Sequence, residues 1–432
     1  MNKLRFELEW ERVDGSRGDE LAATWARLAI RVEDATITRV NDYRSLGLRD
    51  HLLIPVYPLA EWIATHWWSL LYEAQAPGRD GYEQRHNLRF GREGFALPDL
   101  LIKPMGERAW IEWRALELPQ ARVGFPTSGA RDLDLDDIRN ALADLIETVL
   151  ARLDQQDVTD TCLHQEWQTI QAADAMETTF CIAAARLGQD PYALSEPTAN
   201  AILAAANQLP VHWQDDFFDL ANAQELDAQV ALIDDARALL RQSSGHYDGL
   251  VALRERTEKI NPHHTPWEQG YQVARTLRGR LGLGADPLSS DAALAGAFGI
   301  PVLGCVSLHD PRARKLFDGM VDTDDREHPG FLTTKSRPEQ VRFAFCRGLF
   351  EYLTAPGTPS ALVTVARTDR QKRNRAFAAE LLAPADWLRT RINDSWVSPD
   401  EVDEWAGELG VSAEVVDRQI QNHRLAAVEG FG

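Results

Sequence analysis

Cysteine is scarce in this sequence and follows no metal-binding or disulfide pattern. The 432-residue chain has four cysteines and no CxxC pair. They are Cys162, Cys181, Cys305 and Cys346. Disulfide scaffolds and cysteine-rich zinc sites need closely spaced cysteines. We therefore expect reduced thiols and a cytoplasmic protein.

Positive charge is also in short supply. The chain has 46 Lys and Arg against 66 Asp and Glu, which gives a formal net charge of −20. Proteins that hold a nucleic acid backbone over a broad surface need clustered Lys and Arg. We therefore do not expect direct nucleic-acid binding, although this balance leaves room for a local basic patch or a basic partner.

No long apolar segment runs without interruption. The most hydrophobic stretch, residues 52–72, contains two prolines, Glu61 and His66. A charge inside a lipid bilayer is costly, so the pattern predicts a short strand followed by an amphipathic helix from near Pro58. The N-terminal MNKLRFELEWER lacks the apolar core of a signal peptide. The sequence thus predicts a soluble protein with no membrane association.

Common cofactor and nucleophile motifs are missing as well. The sequence has no GxSxG, no P-loop, and no GxGxxG between a strand and a helix. The glycines of GRLGLG follow a predicted helix, whereas phosphates bind at the beginning of a helix. No cofactor is therefore expected.

The remaining patterns predict a multi-domain α+β protein of three blocks. In residues 1–125, LRFELEWER and ARLAIRVEDATITRV alternate apolar and polar residues as half-buried strands do. DLLIKPM and RAWIEWRAL predict a hairpin around Gly106 and Glu107. Seven of the 13 tryptophans lie in this aromatic-rich block and favour a domain core over a recognition surface. They are Trp10, Trp25, Trp62, Trp67, Trp68, Trp110 and Trp113.

The second block, residues 132–258, has the apolar spacing of helices and no cluster of catalytic residue types. It is interpreted as a helical connector or scaffold. One of its helices is predicted to run through QEWQTIQAADAMETTFCIAAARLG, and the turn-rich residues 258–266 are interpreted as a boundary.

The third block, residues 267–432, mixes helices and short strands. A helix capped by Ser289, Ser290 or Asp291 is predicted before a strand at 300–303, and FLTT is predicted to be an edge strand. A buried helix contains FAFCRGLFEYL, residues 343–353. The helix AFAAELL comes next, and a helical tail at 398–426 has Ser398 as its N-cap and LGVS as a turn.

The order of these features resembles the ImmA/IrrE family of bacterial metallopeptidases over about 165 residues. ARTLRGRLGL, FGIPV, RFAF, AFAAELLAP and LGVSAEVV follow one another as in that family, whose own motif reads FAAELLMP. The resemblance implies a zincin-like α+β domain. In that family an HExxH helix supplies two histidines one turn apart for Zn²⁺ and a glutamate that activates water.

The family's functional positions are changed in this chain. Alignment on RFAF places Arg347 and Glu351 at the two histidines and Gly348 at the catalytic glutamate. The third ligand, a carboxylate just upstream of FAAELL, would correspond to Gln371 or Arg373. Arginine repels a dication and glycine cannot act as a base. These five degenerate positions predict no catalytic residue and no bound metal.

Arg347 and Glu351 stand four residues apart on one helix, where their charges can pair in place of a metal. The resemblance therefore implies a pseudopeptidase: a regulator, adaptor or sensor that binds a protein or a ligand. The family setting implies bacterial stress responses, mobile-element control or phage defence.

Other interpretations remain open at this stage. The helix at 343–353 could be an unrelated core helix, or the protein could be an active metallopeptidase with displaced ligands. A metal could bind at the His263–His264 pair, and Arg347 could lower the pKa of Cys346. His309 and His328 are expected on the surface.

The C-terminal helix could also read DNA as part of a transcriptional regulator. Its candidate contacts are Arg418, Gln419, Gln421, Asn422, His423 and Arg424. The acidic residues around it oppose that role.

Overall fold

The architecture is multi-domain α+β, as the sequence predicts, with 52% helix, 18% strand and several small sheets. The computed structural model describes residues 3–13, 18–76, 79–117, 122–242, 247–255, 260–261, 264–301, 303–323, 327–355 and 360–428. The chain divides into two compact units, Met1–Leu203 and Ala204–Gly432. The block boundaries read from the sequence stay predictions.

The first unit combines small antiparallel sheets with helices. Its elements are β1 (Leu4–Trp10), α1 (Asp19–Ala23), β2 (Trp25–Val32), β3 (Ala35–Thr36), β4 (Val40–Asp42), β5 (Gly47–Arg49), β6 (Leu52–Pro55), α2 (Tyr57–Thr65), α3 (Trp67–Tyr72), α4 (Tyr82–His86), a 3₁₀ turn (Leu88–Arg92), β7 (Asp99–Met105), β8 (Arg108–Arg114), β9 (Val123–Gly124), β10 (Gly129–Asp134), α5 (Leu135–Gln155), α6 (Cys162–Ala172) and α7 (Ala175–Arg186).

Several sequence predictions for this unit are confirmed. The most apolar stretch begins with the strand β6, as predicted, and β7 pairs antiparallel with β8 around Gly106 and Glu107. The single helix predicted from near Pro58 is instead two helices, α2 and α3, which meet at His66. Trp67, Trp68 and Trp113 are buried, whereas Trp110 is exposed. In the part of the chain that the structure describes, no helix has the length and apolarity needed to cross a bilayer.

The predicted long helix through residues 165–188 is wrong in one respect, because it is two helices. α6 ends at Ala172, and α7 begins after Asp174, whose side chain accepts hydrogen bonds from the backbone N–H groups of Met176 and Glu177. In one continuous helix, backbone carbonyls of the preceding turn would accept these N–H hydrogen bonds. Here the Asp174 side chain accepts them instead, so a new helix begins after it.

The second unit contains the remaining helices and one four-stranded sheet. Its elements are α8 (Glu196–Gln208, which spans the boundary), α9 (Val211–Phe218), α10 (Leu226–Gln242), α11 (Asp248–Glu255), α12 (Pro266–Arg280), α13 (Asp291–Phe298), β11 (Cys305–Ser307), α14 (Ala313–Leu316), β12 (Gly319–Asp322), β13 (Gly330–Thr333), α15 (Pro338–Thr354), β14 (Ser360–Val363), α16 (Asp369–Leu382), α17 (Ala385–Arg391), β15 (Trp396–Val397), α18 (Pro399–Leu409), α19 (Ala413–Asn422) and β16 (Ala427–Val428).

The sheet of this unit has the strand order β11-β13-β12-β14, with β11 parallel to β13 and the other pairs antiparallel. β13, which contains FLT, is therefore an interior strand and all four of its residues are buried, so the prediction of an edge strand is wrong. α15 packs on β12, β13 and β14, and α16 packs on α12 and α15.

The strand predicted at 300–303 is also wrong, since the strand β11 begins at Cys305. α13 ends at Gly299, whose φ of 67° is left-handed, and the N–H of Ile300 bonds back to the carbonyl of Ala295. The buried side chain of Ile300 thus belongs to a helix-ending motif. The N-caps Ser290 and Ser398 are confirmed, and the LGVS turn lies between α18 and α19.

Candidate functional site

The helix α15 brings the predicted degenerate positions into the interior of the second unit. Pro338 occupies its first turn, where a missing N–H costs nothing, and its apolar residues face the sheet. Arg347, Gly348 and Glu351 are all buried on this helix. The helix α16 runs beside it, and the rings of Phe350 and Phe377 lie 5.4 Å apart. AFAAELL therefore reaches the turn that contains Arg347 and Glu351.

Arg347 is the centre of a buried polar network. Its side chain is 3% exposed, and its Nη1 donates to Oδ2 of Asp318 at 2.8 Å. Nε donates to Oδ1 of Asn374 at 2.8 Å. Nη2 donates to Oε1 of Gln371 at 2.7 Å and to the carbonyl oxygen of Thr364 at 2.5 Å. The predicted pairing with Glu351 is wrong, because the ionic partner of Arg347 is Asp318.

Glu351 has partners of its own. Its Oε1 accepts a hydrogen bond from Nδ2 of Asn374 at 2.9 Å and lies 4.0 Å from Nε of Arg370. Arg370 pairs with Asp216 at 2.8 Å, and Asp216 also accepts from the hydroxyl of Thr368.

Burial raises the pKa of Glu351, and the charge of Arg370 only partly opposes this shift. Burial likewise lowers the pKa of Arg347, against the attraction of Asp318.

Gly348, at the position that the resemblance aligns with a catalytic glutamate, faces the sheet. A Cβ atom there would lie 3.1 Å from Cδ1 of Phe331 and 3.5 Å from Cβ of Val321. A contact of 3.1 Å is tighter than nearly all real Cβ contacts, so the glycine allows α15 to approach the sheet closely. A carboxylate at this position would meet apolar side chains.

The two candidates for a third ligand have different surroundings. Gln371 is fully buried, and its Nε2 donates to Asp216 at 2.9 Å and to the carbonyl of Leu362 at 2.8 Å. Arg373 is half-buried. Asn374 accepts from Arg347 and donates to Glu351, so it joins the surroundings of these two residues directly. Gln371 links Arg347 to Asp216.

Sequence reasoning missed Asp216, Asp318 and Asn374. Asp318 stands among apolar residues in KLFDGMV, which signals a buried acid in need of a cation. Asp216 and Asn374 carry no such signal, because Asp215 precedes Asp216 and two arginines flank Asn374. No local pattern marks the three as partners of one another, because they come from three separate segments of the chain.

This donor set does not fit Zn²⁺. Zinc needs three or four deprotonated His, Cys or carboxylate ligands, and here a guanidinium occupies the corresponding position. The carboxylates of Asp318 and Asp216 are already paired with cations. In the described ranges, no group of three or more His, Cys, Asp or Glu is placed to hold a metal ion.

The other sequence candidates are dispersed. His263 lies outside the described residues, and His264 is exposed in a turn. His309 is exposed and His328 is half-buried. Cys346 is fully buried, and burial raises the pKa of its thiol, so the expected lowering by Arg347 is wrong.

The helix α19 uses half of its proposed base-reading side chains for packing. Gln419 is buried and donates to Glu380 and to the carbonyl of Ala383. Asn422 donates to the hydroxyl of Tyr271, and His423 lies 3.2 Å from Glu380. Arg418, Gln421 and Arg424 are exposed.

Fold and site together define a multi-domain α+β protein with a buried ion-pair network between two helices of its second unit. No protein-family model matches the chain, and no curated protein matches it either.

The burial of Glu351 predicts a pH dependence of stability. The folded protein holds the proton of this carboxyl more tightly than the unfolded chain does. That stabilisation is complete below the ordinary pKa of 4.5 and is lost as the pH rises through the raised pKa. Glu351→Gln keeps an oxygen acceptor for Asn374 but carries no charge. We expect this variant to gain stability over the wild type toward neutral pH and to lose the advantage in acid.

The measurement is the free energy of unfolding in urea between about pH 4 and pH 8. The control is Glu408→Gln, at a partly exposed carboxyl that pairs with Arg391, for which no such trend is expected. If the difference in free energy of unfolding between Glu351→Gln and the wild type were the same at every pH, the carboxyl of Glu351 would not have the raised pKa that its burial implies.

Proposed function

We propose that the second unit contains a catalytically inactive ImmA/IrrE-like domain, which acts by binding a protein or a ligand rather than by cleaving a peptide. The observation that carries the proposal is the position of Arg347. Its guanidinium lies where the resemblance puts the first zinc-binding histidine, and four acceptors from other segments hold it there. A pre-organised cation at this position repels a dication.

The arrangement of elements supports the same proposal. A short mixed sheet, the helix α15 with its replaced HExxH, and the helix α16 with AFAAELL follow one another in the expected chain order, and the two helices pack together. A fold retained without its catalytic side chains is suited to a regulator, adaptor or sensor. The resemblance places such a protein in a bacterial stress, mobile-element or phage-defence setting.

Zinc content and peptide cleavage test this proposal directly. We expect the purified wild-type protein, dialysed against micromolar Zn²⁺, to retain far less than one zinc per chain by atomic emission. Incubation with a mixed peptide library should give no cleavage that a chelator abolishes. Stoichiometric zinc that is lost in Glu351→Gln would establish a metal site with displaced ligands, and chelator-sensitive cleavage would establish an active metallopeptidase.

A restored ligand set tests the position of the site. The triple variant Arg347→His/Glu351→His/Gln371→Glu recreates two histidines and a carboxylate on α15 and α16, and we expect it to bind zinc at least roughly tenfold more tightly than the wild type. The control, Asp400→His/Glu404→His, places two histidines four residues apart on the exposed face of α18. Equal zinc affinity in a folded triple variant and this control would show that α15 and α16 do not frame a former metal site.

A further inference from the structure

One end of the sheet in the second unit collects basic side chains. β11, β13 and β14 run in the same direction, so their carboxyl ends lie at one edge, where β12 begins. The segments at this edge are α14 before β12, the loop after β13, and the loop after β14 together with the first two turns of α16. They contain what is here called the basic patch. Its members are Arg314, Lys315, Lys335, Arg337, Arg367 and Arg375.

Contacts tie these segments together. Nε of Arg314 donates to the carbonyl of Thr334, next to Lys335. Lys335 pairs with Asp318 at 2.6 Å. At the other side, Arg375 donates to the carbonyl of Thr364 at 3.3 Å. That same carbonyl accepts from the buried Arg347, so two guanidinium groups share one oxygen.

Little negative charge balances this patch. Asp318 serves both Lys335 and Arg347. Among the described residues, no carboxylate lies within ion-pairing distance of the other five members. Two other acids lie close in sequence to members of the patch. Asp310 pairs with Arg312, which is not a member, and Glu339 lies in the first turn of α15.

Arg375 is the member of the patch that lies in α16, and it is partly buried. Burial, with smaller contributions from the positive charges of Arg347 and Arg367, lowers its pKa to about 9, and the charges of Asp318 and Asp216 only partly oppose this shift. Arg314, Lys315, Arg337 and Arg367 are exposed to solvent. An anion at this edge would therefore meet four exposed cations that have no carboxylate within ion-pairing distance in the described part of the chain.

We infer that the basic patch binds a small anion with two or more phosphate groups. Guanidinium groups bind phosphate oxygens in bidentate fashion, and several cations together favour a multivalent anion over chloride or a single carboxylate. A long nucleic acid fits less well, because the chain carries a net charge of −20 and the patch offers no exposed aromatic ring for base stacking. This inference rests on charge and contacts alone and does not depend on the proposed family.

The probe is inorganic tripolyphosphate, titrated into the full-length protein by calorimetry at about 150 mM salt. The test variant is Arg337→Glu/Arg367→Glu, at two exposed positions. The matched control is Arg418→Glu/Arg424→Glu, which changes the net charge equally at exposed positions of the C-terminal region. We expect saturable binding by the wild type, at least roughly tenfold weaker binding by the test variant, and less than about twofold change in the control.

Several outcomes would overturn the inference. The first is wild-type protein that binds no tripolyphosphate at millimolar concentration. The second is an equal loss of tripolyphosphate affinity in both double variants, which would mean that binding depends on net charge alone and not on the patch. The third is a 12-nucleotide single strand or duplex that binds more tightly than tripolyphosphate and competes with it, which would make the patch a nucleic-acid surface. Circular dichroism of the variants establishes that each is folded.

Discussion

Arg347→Met is expected to lower the free energy of unfolding of the second unit by about 3–5 kcal/mol. The guanidinium is buried and donates to Asp318, Asn374, Gln371 and the carbonyl of Thr364. Methionine has a similar length but no donor, so all four hydrogen bonds are lost in a buried site. Oε1 of Gln371 keeps the backbone N–H of Thr364 as a donor, and the carbonyl of Thr364 keeps Arg375. Asp318 keeps Lys335 as a partner, which favours the lower half of the range.

Urea unfolding provides the measurement, with hydrogen–deuterium exchange to identify the transition that contains α15. The control is Arg389→Met, because the side chain of Arg389 is half exposed and pairs with Asp386 one turn away. An exposed pair of this kind contributes less than about 1 kcal/mol. If Arg347→Met cost no more than Arg389→Met, the buried network would not stabilise the fold.

Gly348→Glu introduces the glutamate that the proposed family resemblance implies at this position, and it is expected to destabilise the second unit by about 3 kcal/mol or more and to produce no peptidase activity. The new Cβ would lie 3.1 Å from the ring of Phe331, in a packed core. The carboxylate beyond it would be buried among apolar groups without a partner. Replacing a glycine inside a helix by a better helix former stabilises the helix by about 1 kcal/mol, and these costs exceed that gain.

A second helical glycine provides the matched control. Gly407 lies in α18, and a Cβ atom there would meet nothing within 4 Å. Gly407→Glu should therefore leave stability unchanged or raise it by up to about 1 kcal/mol, through helix propensity alone. Thermal and urea unfolding of both variants give the comparison. A Gly348→Glu protein as stable as the wild type would show that α15 has room to move away from the sheet.

The sequence predicts local structure well wherever the determining interactions are local. The hairpin β7–β8, the Ser290 and Ser398 caps and the buried helix α15 follow from residues close in sequence. The predictions fail where a single capping residue or the pairing of strands changes the local pattern. Asp174 interrupts a helical pattern with an N-cap, and Ile300 follows a left-handed glycine rather than entering a strand. The place of β13 inside the sheet depends on which strands pair beside it, and no short pattern contains that information.

By itself, the sequence determined which side chains occupy the positions that the proposed resemblance aligns with a zinc motif, and those side chains lack the chemistry of zinc ligation. It also determined that a helix with an apolar face would contain three of those positions. Their actual partners were decided only by the tertiary structure. A buried cation takes whichever acid the packing brings within about 3 Å, and Asp318 reaches Arg347 from a separate strand connection while Glu351, one turn away, bonds to Asn374. The basic patch arises in the same way, because three distant segments meet at one edge of a sheet whose strand order no local signal encodes.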